Sequence, residues 1–184
     1  GCGLTNPLGN SVHPLVYEEN EDGGYTVQKF KSHLTIINVS IPAEYNGKPV
    51  TRIGDNALAD CESLKSFTIP NSVTTIDRYA FYGCVSITSV SLPNSVTMIG
   101  DSAFNNCYNL TEISIPDSVT HIGDDAFSDC VGLTKISIPA SVTSIGKEAF
   151  AGCKKLVQIN CHPATPPTAE STSFANYNVY AYIP

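Results

Sequence analysis

The 184-residue sequence lacks the features that would place it in a membrane or on a nucleic acid. No apolar run approaches the ~18 residues that a membrane-spanning helix needs. Basic residues are few and scattered, and the net charge of −7 argues against nucleic acid or an anionic membrane surface as a partner. With 42% hydrophobic and only 15% charged residues, the chain is too apolar to be disordered. A folded protein without a transmembrane segment is therefore expected.

The motifs of common catalytic and cofactor sites are also missing. There is no glycine-rich phosphate loop, His-Glu-x-x-His motif or Cys-x-x-Cys pair, so neither a nucleotide nor a zinc site is predicted. Residues 18–23 are similar to the start of a calcium loop, but Lys29 stands where its twelfth position needs an acid. Ser102 occupies a Gly-Asp-Ser sequence, but the same slot holds Asn56 and Glu148 elsewhere, so it is a variable position rather than a nucleophile. We expect no enzyme activity, metal or cofactor.

What the sequence does contain is a repeat of 23 residues. Four closely similar segments each begin with a proline, at Pro70, Pro93, Pro116 and Pro139. A looser copy precedes them, with five extra residues between Pro42 and Val50. A fixed period in the twenties is typical of stacked-repeat proteins, in which no single unit can bury its apolar side chains alone.

Residues 110–130 show how one repeat is expected to fold. Ile113 and Ile115 alternate with polar residues, which predicts a short strand that ends at Pro116. A second short apolar segment and a glycine bend follow. Asp124 is placed to cap a short helical or 3-10 turn that buries an alanine, a phenylalanine and a cysteine. The predicted fold class is an α/β repeat solenoid, a right-handed stack of short parallel strands and short helical turns.

Cysteine recurs at one register of the repeat, at Cys61, Cys84, Cys107, Cys130 and Cys153. Stacked equivalents lie ~4.8 Å apart with parallel Cβ vectors, which is unsuited to a disulfide. We therefore expect a column of buried thiols beside a column of phenylalanines. Cys2 lies outside this pattern, and two interpretations stay open: the lipid-carrying cysteine of a bacterial lipoprotein, or a terminal thiol.

The chain is predicted to have four parts. Residues 1–11 show no periodicity and indicate a flexible lead-in. Residues 12–41 form an N-terminal cap with a β-hairpin and the first strand. Residues 42–161 hold five repeats, the first with the insertion. Residues 162–184 form a modified last repeat or cap, and the chain's end at an Ile-Pro pair indicates truncation there.

Two turns within these parts can be assigned from the sequence. Val12–Tyr17 and Tyr25–Phe30 are rich in β-forming residues, and Asp22-Gly23 between them offers the positive φ of a hairpin turn. In the insertion of the first repeat, Asn46-Gly47 predicts a second tight turn.

Written as a consensus, the repeat is Leu-x-x-Ile-x-Ile-Pro-x-Ser-Val-x-x-Ile-Gly-x-x-Ala-Phe-x-x-Cys, and in this form the chain resembles the BspA-like leucine-rich repeat family. The matching copies are residues 87–107, 110–130 and 133–153, with 64–84 slightly degenerate. The resemblance implies a curved solenoid of a secreted or cell-surface bacterial protein, with a protein partner such as host matrix or another surface protein. Serines replace the asparagine usual in leucine-rich repeats, with hydroxyls that suit the same turn, at Ser72, Ser95, Ser118 and Ser141.

The outward positions of the first strand form two candidate partner-binding rows. The first row varies in charge and comprises Ser66, Ser89, Glu112, Lys135 and Gln158. The second row is nearly uniform and comprises Thr68, Ser91, Ser114, Ser137 and Asn160. Neither has the aromatic or arginine anchors that concentrate binding energy, which lie elsewhere as Tyr45, Tyr79, Tyr82, Tyr108 and Tyr177.

These observations predict a monomeric, non-catalytic, adhesin-like protein-interaction module. The alternative is a structural spacer or a glycan-binding surface segment that carries another domain.

Overall fold

The computed structural model describes residues 4–5, 11–12, 15–29, 37–162, 168–169 and 172–173. These residues form a β-solenoid of about six turns. Its strands, in chain order, are β1 (Leu4–Thr5), β2 (Ser11–Val12), β3 (Val16–Glu19), β4 (Tyr25–Gln28), β5 (Asn38–Ser40), β6 (Glu44–Tyr45), β7 (Lys48–Ile53), β8 (Ser66–Thr68), β9 (Thr75–Ile76), β10 (Ser89–Ser91), β11 (Met98–Ile99), β12 (Glu112–Ser114), β13 (His121–Ile122), β14 (Lys135–Ile138), β15 (Ser144–Ile145), β16 (Gln158–Cys161) and β17 (Thr168–Ala169).

The strands predicted from the Ile-x-Ile pattern form what we call the first strand face, which comprises β5, β8, β10, β12, β14 and β16. Parallel ladders join β5 to β8, β10 to β12, and β14 to β16. Paired residues are 23 apart in the last two ladders and 28 apart between β5 and β8, because the five-residue insertion lies between them. Burial alternates along each strand, so that Ile113 is buried between exposed Glu112 and Ser114. The period-two pattern therefore placed the core side of this face as expected.

A second strand face was not expected from the sequence. The short apolar segment after each proline pairs in parallel with its equivalent in the next repeat, giving the order β17-β15-β13-β11-β9-β7-β4-β3. In the regular repeats each strand of this face has two residues, too few for alternation to be recognised. The two strand faces enclose the core together with a third side of the stack.

The N-terminal hairpin is present, with different bounds. Antiparallel β3 and β4 are joined by a turn in which Gly23 has φ of 83°. The strand predicted to start at Val12 starts at Val16, because Ser11–Val12 pairs instead with Leu4–Thr5. That pair also shows that the lead-in predicted to be flexible contains a short antiparallel ladder. The four-part division of the chain stays a prediction.

The tight turn predicted in the insertion is confirmed. Strand β6 runs antiparallel to β7, and both residues between them have positive φ, 50° at Asn46 and 73° at Gly47. This is the geometry that Asn-Gly favours in a two-residue hairpin loop. The insertion thus adds one hairpin to the edge of the first repeat. Strand β7 also pairs with β9 and, with a shift of register after Tyr25, with β4.

The third side, which we call the turn face, consists of residues 54–61, 77–84, 100–107, 123–130 and 146–153. The short helical or 3-10 turns predicted here are not formed in the described residues, where successive turns occur instead. In one repeat the amides of Ser102, Phe104 and Asn106 donate to carbonyls of the next repeat at 2.7 to 2.9 Å. The amides that alternate with them, of Ala103, Asn105 and Cys107, donate to carbonyls three residues earlier at 3.1 to 3.3 Å.

This alternation explains why a helix is excluded. A helix needs every successive amide to bond within its own segment, whereas here every second amide bonds to a neighbouring repeat. Ser102 and Asn106 also have positive φ, 53° and 62°, which a right-handed helix does not allow. The turn face is therefore a third inter-repeat hydrogen-bond ladder.

The phenylalanine column predicted from the repeat is confirmed. Phe81, Phe104, Phe127 and Phe150 are fully buried, and successive rings are stacked with centroids 5.1 to 5.5 Å apart. Phe67 adds a further ring, 4.3 Å from Phe81. Since Phe104 covers one side of the Phe81 ring, Phe67 covers the opposite side, where the first repeat has Leu58 in place of phenylalanine.

Candidate functional site

The residues considered for catalysis do not come together. Ser102 lies on the turn face, His121 on the second strand face and His162 beside the first, where its Nε2 is 2.8 Å from the Ser137 hydroxyl. In the described part of the chain, no three His, Cys, Asp or Glu side chains gather as a metal site requires. Within the same ranges, no helix has the length and hydropathy for a bilayer crossing.

The cysteine column is inert rather than reactive. Each thiol from Cys84 to Cys153 donates a hydrogen bond to a carbonyl of the preceding repeat, at 3.1 to 3.3 Å. Burial raises the pKa of Cys107 and of Cys153 to about 12, since the charged thiolate would lose its hydration. The same cause raises the pKa of Cys84 and Cys130. These thiols therefore stay protonated and structural at neutral pH.

Threonine, and not serine, forms the polar ladder between repeats. The hydroxyls of Thr74, Thr97, Thr120, Thr143 and Thr168 each donate to the equivalent carbonyl of the preceding repeat, at 3.0 to 3.3 Å. Of the serines expected to serve the turn, Ser118 donates to the Val96 carbonyl at 2.6 Å. The hydroxyls of Ser72, Ser95 and Ser141 are buried and make no hydrogen bond to described residues. The recurrent Val-Thr pair was the sequence signal for this ladder.

The two candidate rows lie together on the first strand face. Nine of the ten side chains are exposed, and Asn160 is half-buried. At one end Ser66 donates to Asn38 at 2.6 Å, and Thr68 donates to Ser40 at 3.0 Å. Beside the rows, Val157 is 88% exposed, a high value for an aliphatic side chain. The face is thus flat and polar, with one apolar residue near its C-terminal end.

The tyrosines lie in separate places. Tyr45 stacks on Tyr17 with ring centroids 4.1 Å apart and meets Tyr25 edge-on at 5.1 Å, next to the insertion. Burial raises the pKa of Tyr17 to about 12. Tyr79 and Tyr82 form a second, edge-on pair on the turn face. Tyr108 is exposed on its own, and Tyr177, like Cys2, lies outside the described residues.

A shallow groove of about 650 Å³ runs along the turn face, and sequence reasoning missed it. We call it the turn-face groove. Its lining residues come from three columns of the repeat and are Asn56, Asp60, Tyr79, Tyr82, Ser102, Asn105, Asn106, Asp125, Ser128, Asp129 and Glu148. Positive φ recurs in two of these columns, at 53° to 58° in the column of Ser102 and 56° to 68° in the column of Asn106.

The groove changes in chemistry along the stack. The Tyr79–Tyr82 pair and the Asp60 carboxylate lie toward its N-terminal end, and Asn105 and Asn106 lie in the middle. The other three carboxylates lie toward its C-terminal end. Asn106 donates through Nδ2 to the Tyr82 hydroxyl at 2.9 Å, which holds the aromatic and amide parts together. The sequence did contain a sign of this groove, because the column of Ser102 changes from tyrosine to serine to acidic residues. The prediction of a helical turn concealed which columns share the surface.

Electrostatic repulsion is concentrated at the acidic end of the groove. The pKa of Asp125 is raised, first by burial and then by the nearby carboxylates of Glu148, Asp124 and Asp101. Two of these neighbours have structural partners, since Asp101 and Asp124 each accept a backbone amide of the next repeat, at 2.9 and 2.7 Å. The groove is therefore a surface of unbalanced negative charge.

Comparison with known proteins is consistent with this architecture. The family model for the BspA type leucine rich repeat region matches residues 27–157 in six copies. A crystal structure of a T. pallidum leucine rich repeat protein is 31% identical, with a TM-score of 0.77 over 82% of this chain and 70% of that one. No curated protein sequence matches the chain.

Two further solved structures are similar over shorter parts of their own length. A leucine rich cell surface protein from Faecalibacterium prausnitzii is 27% identical, with a TM-score of 0.54 over 88% of this chain and 56% of that one. The pneumococcal vaccine antigen PcpA is 20% identical, with a TM-score of 0.53 over 87% of this chain and 49% of that one. The chain thus spans about half the length of these two proteins, and the likeness to PcpA concerns the fold.

Proposed function

The chain belongs to the BspA-type leucine-rich repeat family, and on that premise we propose that it is a non-catalytic, adhesin-like protein-interaction module of a secreted or cell-surface bacterial protein. The observation that carries this proposal is the division of roles within each repeat. Interior positions keep the same residue type from repeat to repeat, whereas the first row on the surface changes from Ser89 to Glu112 to Lys135. Repetition stabilises the stack, and variation at the surface is available for recognition.

The proposed contact surface is the first strand face with its two rows. Six parallel strands at ~4.8 Å spacing give a face about 24 Å long. The strands of this face are held by parallel ladders and by the buried side chains on their inner side, so a partner does not have to order them on binding. The likeness to a leucine rich cell surface protein supports a surface or secreted location.

The test is a binding screen of the purified chain against immobilised matrix and bacterial surface proteins. A charge-swapped double variant, Glu112→Lys with Lys135→Glu, keeps the net charge and alters the face. A matched control, Glu62→Lys with Lys154→Glu, makes the same exchange at exposed positions away from that face. We expect at least one ligand at micromolar concentration, bound about tenfold more weakly by the first variant and within about twofold of wild type by the control. The absence of any protein ligand would refute the proposal.

One observation favours the alternative of a spacer or a glycan-binding segment. The second row is almost uniform in hydroxyl groups, with Thr68, Ser91, Ser114 and Ser137 at one register. Regular hydroxyls match the hydroxyls of a polysaccharide better than the varied surface of a protein. Binding to a glycan array, with no binding to the protein panel, would favour this alternative. Lipid attachment at Cys2 is proposed separately, and intact mass analysis of the native protein tests it.

A further inference from the structure

The turn-face groove lies apart from the two rows and has the features of a separate binding site. It combines an aromatic pair, three amides and a group of carboxylates along one direction, parallel to the stack axis. Tyr79 and Glu148 belong to one column and are three repeat steps apart, or about 14 Å at ~4.8 Å each. An extended peptide covers this distance with about four residues, since a strand rises ~3.3 Å per residue.

Of the three carboxylates at the acidic end, Asp125 interacts with the Ser128 side chain, and the other two have no partner among the described residues. Asp129 and Glu148 line the groove, and their side chains form no hydrogen bond or ion pair with the described residues. No lysine, arginine or histidine is among the residues that line it. Arg78, in the same repeat as the Tyr79–Tyr82 pair, is already paired with Asp55, at 3.2 Å. A cation supplied from outside would therefore meet carboxylates that are not neutralised.

The Asp129 carboxylate occupies a space that a glycine of the next repeat leaves free. A β-carbon at Gly152 would overlap this carboxylate, so the glycine of the next repeat leaves the space that it occupies. Asp60 and Gly83 repeat the arrangement at the other end of the groove, where a β-carbon would come within 2.6 Å of the Asp60 Oδ1 atom. In this column an acid followed by a glycine in the next repeat thus occurs twice, once on each side of Asn106.

A hydroxyl that opens into the groove provides a second, independent sign of a ligand. Ser102 is only 6% exposed and lines the middle of the groove. Its backbone amide is used by the inter-repeat ladder, whereas its hydroxyl makes no hydrogen bond with the described residues. This hydroxyl is not one of the buried polar atoms that lack a partner, so it is accessible from the groove. A peptide backbone in the groove would bond to it in place of water.

We propose that the turn-face groove binds a short, extended, basic segment of a partner protein, with an arginine or lysine side chain between Asp125, Asp129 and Glu148 and a second side chain against Tyr79 and Tyr82. This inference rests on the proposed function and adds the chemistry of the partner. Guanidinium groups pair with carboxylates and also stack on tyrosine rings, so an arginine suits both ends. The carboxylates favour this ligand over a neutral sugar, which would gain little from their charge.

The test uses fluorescent hexapeptides that contain two arginines, two citrullines or two glutamates, with binding measured by fluorescence anisotropy. Citrulline keeps the shape of arginine and removes its charge. We expect the arginine peptide to bind, the glutamate peptide not to bind, and the citrulline peptide to bind at least tenfold more weakly. Affinity should also fall as salt rises from about 50 to about 150 mM, because exposed charges are screened.

Two double variants locate the binding. Asp125→Asn with Glu148→Gln removes two charges from the groove, and Asp117→Asn with Glu62→Gln removes two exposed charges elsewhere. We expect about a tenfold loss of arginine-peptide affinity for the first and less than about twofold for the second, since each partly exposed pair contributes a few-fold. Tyr79→Asn, which suits the positive φ of that position, should weaken binding by a smaller factor. Cooperative thermal unfolding of each variant, at a temperature no lower than that of wild type by more than a few degrees, confirms that its fold is intact.

Three results would overturn the inference. These are equal binding of the citrulline peptide, equal binding by the groove double variant, or displacement of the fluorescent peptide from wild type by a neutral oligosaccharide at lower concentration than by unlabelled arginine peptide. A protein ligand from the screen that binds the groove variant as tightly as wild type would leave the proposed function standing and remove this inference alone. Arginine-peptide binding at the groove without any protein ligand in the screen would remove the proposed function alone.

Discussion

The first strand face and the turn face are both built from inter-repeat hydrogen bonds, but they use them differently. On the first strand face, side chains alternate between core and solvent, as with Ile113 between Glu112 and Ser114. On the turn face, the backbone amides alternate in their partners, so that Phe104 bonds to the next repeat and Asn105 bonds within its own. The strand face is flat and polar, and the turn face carries a groove.

This difference shows where a repeat protein of this kind can hold a shaped site. In a parallel ladder, equivalent residues of neighbouring strands lie side by side, so their outward side chains form straight rows on a flat surface. Positive φ at Ser102 and Asn106 folds the backbone back within each turn and brings three columns around one depression. The third ladder holds these turns in place, so the backbone that lines the groove is hydrogen-bonded between repeats as the strands are.

The largest effect is expected from the core beneath the turn face. Phe104 is fully buried between two stacked rings, and Phe104→Ala should lower the free energy of unfolding by about 3 to 5 kcal/mol. Ile113→Val, under the first strand face, removes one methyl group and should cost about 0.5 to 1.5 kcal/mol. Urea unfolding of both variants measures the difference. Similar losses for both would show that the phenylalanine column does not dominate the core.

A second test places the same substitution on each face. Ser102→Val should cost about 1 to 3 kcal/mol, because a β-branched residue is strained at a φ of 53°. Ser91→Val, at an exposed position of β10, should change stability by less than about 0.5 kcal/mol, because strands accept valine. Ser102→Gly is the control for the lost hydroxyl and should be tolerated. If valine were equally well tolerated at both positions, the turn-face backbone would differ from the one described.

The smallest effect concerns charge in the groove. The pKa of Asp125 is raised in the folded protein, so its ionised form opposes folding and its protonated form does not. Asp125→Asn should therefore raise the unfolding temperature slightly at pH 7, and this gain should disappear as pH falls below the range in which the carboxylate titrates. Any preference of asparagine for positive φ is independent of pH, so the pH-dependent part isolates the charge. A gain that stayed constant with pH would contradict the electrostatic explanation.

The first strand face and the columns could be predicted because they depend on spacing alone. Alternation at Ile113 and Ile115 identifies a strand, and a 23-residue period stacks Phe104 over Phe81. The backbone structure of the turn face could not be predicted, since a helix and the observed turns bury the same alanine, phenylalanine and cysteine. The choice between them depends on where each amide finds its acceptor, and the acceptor belongs to another repeat.

The first repeat shows a second limit of sequence reasoning. Leu58 breaks the phenylalanine column, and Phe67 stands in a strand position that holds Val90 and Ile113 in later repeats. Each departure was visible, but only the structure shows that the Phe67 ring covers the side of Phe81 that Leu58 leaves unstacked. The groove was missed for a similar reason, because its residues are neighbours only after three columns are folded together.

The most direct measurement is native-state hydrogen exchange of individual amides by NMR. If the turn face is a third ladder, the amides of Phe81, Phe104 and Phe127, which donate at 2.8 Å to the next repeat, should be about as protected as that of Thr97, which lies outside the turn face and donates at 2.8 Å to the Thr74 carbonyl. Protection factors within about tenfold of one another are the expected result. Exchange of these phenylalanine amides orders of magnitude faster than that of Thr97 would show that the turn face is a set of loops, and would contradict the account.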